Sequence, residues 1–255
     1  MCCKILAGRI IGIGLFVLAA MGTHAGAETI NVAVASNFAT AMKVVKQRFE
    51  AEQGHQINII NGSSGKHFAQ IINGAPFDLF LSADTERPRQ LEIRGHVDIG
   101  QRHVYAIGQL ILWSRRPHPP LAETSLLLHE RNGLRRLALA NPDLAPYGRA
   151  AVEVMKKLGV YDQLQVKLVI GENVSQAFQF AYTGNAEFGF VALSQAIALG
   201  QSDSSWRIPL DYYRPINQEM VLLSNKAGAR ALFSFLQSAA MTPILQQHGY
   251  GLPQR

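Results

Sequence analysis

The sequence predicts an α/β protein of two lobes, with the chain crossing between them twice. Three observations carry this reading. Short apolar runs rich in Val, Ile, Leu and Phe alternate with stretches whose apolar residues recur at helical spacing. Two joints, at residues 105–110 and 213–218, interrupt that alternation. Four turns from strand to helix are built of small or hydroxyl-bearing residues, at Ser36-Asn37, Ser63-Ser64, Tyr147-Gly148 and Asn173-Val174. Two lobes joined by short crossings hinge about a cleft.

The 255-residue chain opens with Lys4 and Arg9, an apolar run over 10–21 and the small-residue stretch Ala25-Gly26-Ala27. This is the layout of a secretory signal peptide, so residues 1–27 are expected to be cleaved on export. The apolar run is too short to span a membrane comfortably. Cys2 and Cys3, the only cysteines, leave with it. The mature protein is then left without a disulfide, thiolate metal site or cysteine nucleophile. Loss of Lys4 and Arg9 lowers the formal charge from +6 to +4. No run of five like charges and no basic stripe interleaved with aromatics is present, which argues against nucleic acid as a partner. A mild positive field still favours small anions.

Strands are expected at 30–35, 57–61, 79–82, 106–114, 137–141, 166–170, 188–193 and 220–224. Phe38, Met42, Val45 and Phe49 form a helical stripe that Gly54 stops. Ala151, Val154, Met155 and Leu158 form a second, closed by Gly159. Val174, Ala177, Phe178, Ala181 and Tyr182 form a third, closed by Gly184, and Ala231, Phe235 and Leu236 belong to a fourth. Strict alternation of strand and helix implies largely parallel sheets. The joints assign residues 28–108 and 218–255 to one lobe and 109–217 to the other.

A helix N-terminus leaves backbone N–H groups unpaired and carries about half a positive charge, so it suits an oxyanion. Ser36, Asn37 and Asn173 are also ordinary helix caps. Ser63-Ser64-Gly65-Lys66 is not a nucleoside-triphosphate loop, because Ile60 and His67 stand where a glycine and a Ser or Thr are required. A hydrolase using Ser63 and Lys66 lacks its partner motifs. Pro142 and Pro146 preset the loop before Tyr147, and Gly148 admits close backbone approach.

The histidines at 55, 67, 96, 103, 118, 129 and 248 show no metal-ligand spacing and read as surface residues. Asp78 and Asp84, at opposite ends of a strand, stand about 20 Å apart, too far for an acid/base pair. Tyr212-Tyr213 is a pair able to ligate ferric iron, but its position beside a crossing suggests packing. Binders of sulfate, thiosulfate or ferric iron, and the Ser63/Lys66 hydrolase, stand as rivals to an oxyanion carrier.

The motifs Ala33-Val34-Ala35-Ser36-Asn37-Phe38, Gly62-Ser63-Ser64-Gly65-Lys66 and Ala75-Pro76-Phe77-Asp78-Leu79-Phe80-Leu81-Ser82-Ala83-Asp84 resemble those of the periplasmic molybdate-binding proteins of bacterial ABC importers. The resemblance continues, in the same order, through Ala145-Pro146-Tyr147-Gly148, Gly171-Glu172-Asn173-Val174 and Gly189-Phe190-Val191-Ala192-Leu193-Ser194. It implies the type II periplasmic binding-protein fold, with the oxyanion in the cleft. It also implies a non-enzymatic, monomeric carrier of molybdate, and of tungstate with it, that serves a membrane permease and a cytoplasmic ATPase. The implied ligand set is Ser36, Asn37, Ser63 and Ser64 from one lobe, with Tyr147 and Val174 from the other through their backbone N–H groups. No cofactor and no direct cation ligand is implied. Some members donate a tyrosine hydroxyl from the position of Ala192, so Asn37 or the Tyr147 ring is expected to replace that contact.

Overall fold

A computed structural model of the chain describes residues 26–115 and 134–253. The expected leader lies outside them apart from Gly26 and Ala27, as do His118 and His129. Among the described residues no helix is long and apolar enough to cross a membrane.

Strand β1 (Thr29–Ala35) passes through a 3-10 turn at Ser36–Phe38 into α1 (Ala39–Gln53). Gly54 ends that helix at φ 71°, a left-handed conformation that only glycine adopts without strain. There follow β2 (Gln56–Gly62), α2 (Ser64–Ile72), β3 (Leu79–Leu81), α3 (Glu86–Ile93) and β4 (Arg102–Gly108). The next set is β5 (Leu110–Trp113), β6 (Leu137–Ala140), α4 (Pro146–Lys157), α5 (Tyr161–Leu164), β7 (Leu168–Gly171) and α6 (Val174–Tyr182). The chain finishes with β8 (Phe188–Ala192), α7 (Leu193–Ala198), β9 (Ser205–Arg207), β10 (Ile216–Leu222), α8 (Ala227–Gln237) and α9 (Met241–Gln247).

The strands form two five-stranded sheets, ordered β2-β1-β3-β10-β4 and β7-β6-β8-β5-β9. Both are mixed rather than largely parallel. β10 runs antiparallel to β3 and β4, and β5 runs antiparallel to β8 and β9. In each sheet the reversed strand is the one that enters directly after the chain has crossed from the other sheet. The remaining strands keep the parallel βαβ arrangement, β2 and β3 flanking β1 and β7 and β8 flanking β6. That arrangement brings helix N-termini to the carboxyl edge of each sheet, where ligands collect in open α/β folds.

The sequence merged two strands at 106–114. Gln109 separates β4 from β5, and these belong to different sheets; Ile216 pairs with Gly108, while Leu110 pairs with Ala192. Both strand ends are buried, so the apolar run continues through the crossing. The strand expected at 166–170 begins at Leu168, because Val166 sits 84 % exposed in a 3-10 turn. β10 opens at Ile216 rather than 220, its polar Gln218 and Glu219 being buried all the same. The short edge strand β9 was not expected, Trp206 being its one apolar residue.

Each sheet has its own apolar core. Phe38, Met42, Phe49, Leu81 and Leu232 belong to one, and Trp113, Leu139, Met155, Phe178 and Phe190 to the other. Ala35 and Ala83, at the edge of the first sheet, pack into the second core beside Tyr147 and Val174. Their small side chains let the two halves close on each other.

Gly148, in the first turn of α4, lies against β6: a Cβ there would come 2.1 Å from the Ala140 carbonyl oxygen. The variant G148A is therefore expected to lose about 3 kcal/mol, the upper end of overpacking costs. Urea unfolding should show a lower midpoint with an unchanged slope.

Candidate functional site

All four strand-to-helix turns converge between the two sheets. Ser175 Oγ, in the first turn of α6, donates to the Ser36 carbonyl at 3.2 Å, and Ser194 Oγ donates to the Asn37 carbonyl at 3.0 Å. Gly65 N–H donates to the Leu144 carbonyl at 2.8 Å, joining the second turn to the loop before α4. A Cβ on Gly65 would meet the Leu144 backbone at 2.9 Å, so glycine is what permits this approach. The predicted residues Ser36, Asn37, Ser63, Ser64, Tyr147 and Val174 are each 6 % exposed or less.

The hydrogen bonds at each turn leave donors over. Asn173 Oδ1 accepts from Ser175 N at 3.0 Å and Gln176 N at 3.1 Å, which leaves the Val174 N–H with no acceptor among the described residues. Pro146 occupies the first helical position of α4, and Gly148 N and Arg149 N both return to the Ala145 carbonyl. The Tyr147 N–H is likewise left over, as is that of Ser64. Ser63 Oγ accepts from Lys66 N at 3.3 Å and Ser64 Oγ accepts from Ala83 N at 2.9 Å. Each hydroxyl thus spends a lone pair on the backbone and keeps its proton to donate.

A buried polar network lies beneath the turns. Gln218, fully buried on β10, accepts through Oε1 from Asn37 Nδ2 and Tyr105 OH, both at 3.0 Å. Its Nε2 donates to Tyr147 OH at 3.5 Å, so the tyrosine proton has no acceptor of its own among the described residues. The second Asn37 amide hydrogen goes to Tyr250 OH at 3.3 Å, and Tyr250 OH donates back to the Asn37 carbonyl at 2.7 Å. The Asn37 side-chain amide is therefore committed to the network, whereas the Tyr147 hydroxyl is not. Burial raises the Tyr147 phenol well above its ordinary pKa, which keeps it a neutral donor.

Among the described residues the cations near the turns have partners. Lys66 pairs with Glu172 at 3.1 Å, and Arg87 and Arg149 both pair with Asp84. His67 is not on the surface, as the sequence suggested, but 1 % exposed beneath the second turn. Its ring bonds the Val34 carbonyl at 3.2 Å and fills the space a Gly62 side chain would need. Burial lowers its pKa, which favours the neutral ring.

The rival sites do not assemble. Lys66 Nζ is engaged by Glu172, and only its backbone N–H reaches Ser63. Tyr213 OH accepts from Leu110 N at 3.1 Å, and Tyr212 packs edge-on against Trp206. Among the described residues no group of three or more His, Cys, Asp or Glu is placed to hold a metal ion. Asp78 caps the Asn31 N–H and pairs with Lys226 at 3.0 Å.

Sequence reading missed Gln218, Tyr105, Tyr250, Ser175 and Ser194. Polar residues leading into the apolar run at 220–222 are the one signal that pointed to them, since a buried amide demands partners. Replacing Gln218 by leucine removes the 3.0 Å acceptor of one Asn37 Nδ2 hydrogen and of Tyr105 OH, which is left only the Ser82 carbonyl at 3.5 Å. The variant Q218L is expected to lose about 2–4 kcal/mol of stability, on about 1–3 kcal/mol per buried group left unpaired; thermal unfolding checks it.

The family model described as bacterial extracellular solute-binding protein matches residues 30–251. The chain is 41% identical over 247 residues to the molybdate-binding protein ModA of Azotobacter vinelandii, covering 95% of each chain. It is 42% identical over 229 residues to the ModA of Rhodobacter capsulatus, covering 89% of each. The solved structure of the A. vinelandii periplasmic molybdate-binding protein superposes with a TM-score of 0.83 at 37% identity, covering 88% of this chain and all of that one. The fold thus matches that of a solved relative over 88% of this chain, and the family model spans nearly all the described residues: the protein belongs to the family of bacterial extracellular solute-binding proteins.

Proposed function

We propose that this protein captures molybdate, and tungstate with it, outside the cytoplasm and hands it to an ABC importer made of a membrane permease and a cytoplasmic ATPase. The observation that carries the reading is the convergence of four helix starts whose spare donors are all neutral. The N–H groups of Ser64, Tyr147 and Val174 and the hydroxyls of Ser36, Ser63, Ser64 and Tyr147 supply them, with Asn37 shaping the first turn from beneath. The relatives named as molybdate-binding support the choice of oxyanion. In this reading residues 1–27 are a cleaved export signal, 28–108 with 218–255 and 109–217 are the two moving lobes, and the carrier works as a monomer that transforms nothing.

Seven donors at about 1.5–3 kcal/mol each bracket the roughly 12 kcal/mol of nanomolar capture, with some left to offset desolvation and closure. A fully deprotonated tetrahedral dianion offers acceptors only and matches such a site. Monohydrogen phosphate brings a proton that finds no acceptor. Sulfate carries no proton either, so size alone separates it from molybdate. The tyrosine donor absent at Ala192 is replaced, in this reading, by the Tyr147 hydroxyl. That hydroxyl lies against Gly108, two residues before the Leu110 that pairs with Ala192.

The variants S36A, S64A and Y147F are each expected to weaken molybdate binding by about 1–3 kcal/mol in calorimetric titration. Wild-type affinity in all three would remove the site from these turns.

A further inference from the structure

Asp84 and Arg149 stand outside the donor set, yet each is a near neighbour in sequence of one of its members. Asp84 follows Ala83, whose N–H fixes the Ser64 hydroxyl, and Arg149 lies two residues beyond Tyr147. Arg149 Nη2 reaches Asp84 Oδ2 at 2.5 Å while Nη1 reaches Glu86 Oε2 at 2.7 Å, so one guanidinium forks across two carboxylates. Asp84 is held in place for this. Its Oδ1 accepts from Ser82 Oγ at 3.0 Å and Arg87 N at 3.2 Å, and its Oδ2 is shared with the Arg87 guanidinium. Arg87 in turn reaches across with Nη2 to the Asp143 carbonyl at 2.9 Å.

Burial separates the Arg149–Asp84 arm of this cluster from the Lys66–Glu172 pair, which also bridges the two halves; Glu86, on the second arm, is 64% exposed. The Asp84 side chain is 10% exposed and that of Arg149 31%, whereas Lys66 and Glu172 are 51% and 43% exposed. An exposed pair is screened and contributes little. A hydrogen-bonded pair held partly out of water acts on the dissociation rate when one partner is lost; Asp84 keeps Arg87 within its own half, so what Arg149 adds is the link between the halves. The fork also selects arginine, since a lysine ammonium is a single point charge and cannot reproduce both parallel bonds.

α4 ties the same face to the second crossing. Glu153, one turn beyond Arg149, accepts from Arg214 N at 2.8 Å and Arg214 Nε at 2.7 Å. A cavity of about 190 Å³, bounded by Asp84, Glu86, Arg149, Glu153 and Arg214, lies between these pairs. Water has room there to solvate the carboxylates once the lobes part.

We infer that Arg149, forked onto Asp84 and Glu86, is a positioning residue that latches the closed lobes and sets how slowly the bound oxyanion is released. The latch touches no ligand atom; it acts by holding the Tyr147 helix start in register with the Ser64 turn. The inference rests on the oxyanion-capture reading above.

The test is rapid mixing of the exported protein, loaded with radiolabelled molybdate, against excess unlabelled molybdate, with association measured in parallel. R149M is expected to release at least about tenfold faster, with association changed by less than about threefold. R149K should fall between R149M and wild type, and K66Q should stay within about twofold of wild type. Because Asp84 also caps α3, E86Q rather than an Asp84 variant probes the second arm of the fork and should speed release less than R149M. Wild-type release in R149M, with the wild-type protein binding tightly, overturns the latch and leaves the capture reading standing. A loss shared equally between association and release also overturns it, since that marks a general structural defect. Failure of the wild-type protein to bind molybdate overturns the capture reading, and the latch with it.

Discussion

A buried N–H or O–H without an acceptor costs about 1–3 kcal/mol, and this protein gathers several of them in one place. The rest of the structure follows from that concentration. Parallel βαβ units bring the helix starts to one edge of each sheet, and the two crossings turn those edges toward each other. Asn173, Ser63 and Pro146 settle the other donors of their own helix starts and leave the inward-facing ones free. In the proposed reading, the result is a cleft that closes most favourably around an acceptor-rich guest.

Neutrality is the second part of the design. Among the described residues the cations bordering the cleft, Lys66, Arg87 and Arg149, are paired with carboxylates, and burial favours the neutral forms of His67 and Tyr147. A site of neutral donors discriminates by proton count and size, whereas a cationic side chain would attract any anion. The Gln218 network makes this possible. It fixes Asn37, Tyr105 and Tyr147 through one amide on the strand that follows the second crossing, so that strand and the first and third turns share a single set of hydrogen bonds.

What was legible in the sequence was local. Gly54, Gly159 and Gly184 end their helices at φ 71°, 68° and 81°, as their spacing after each apolar stripe implied. The four turns announced themselves because capping and helix-start chemistry depend on three or four consecutive residues. What could not be read depends on partners far along the chain. Nothing near Gln109 says that β4 and β5 enter different sheets, since the next strand of each sheet decides it. Nothing near Asp84 names Arg149, 65 residues on, as its partner. His67 looked like a surface histidine because its burial is imposed by Val34 and Phe80, two strands that its own helix covers.

The most direct measurement is calorimetric titration of the exported form with molybdate, sulfate and phosphate at neutral pH. A cleft of neutral donors around a dianion predicts tight one-to-one binding of molybdate, weaker binding of sulfate through its smaller size, and phosphate weakest of all. Phosphate bound as tightly as molybdate would contradict it, because its proton would then have found an acceptor that an all-donor site does not contain.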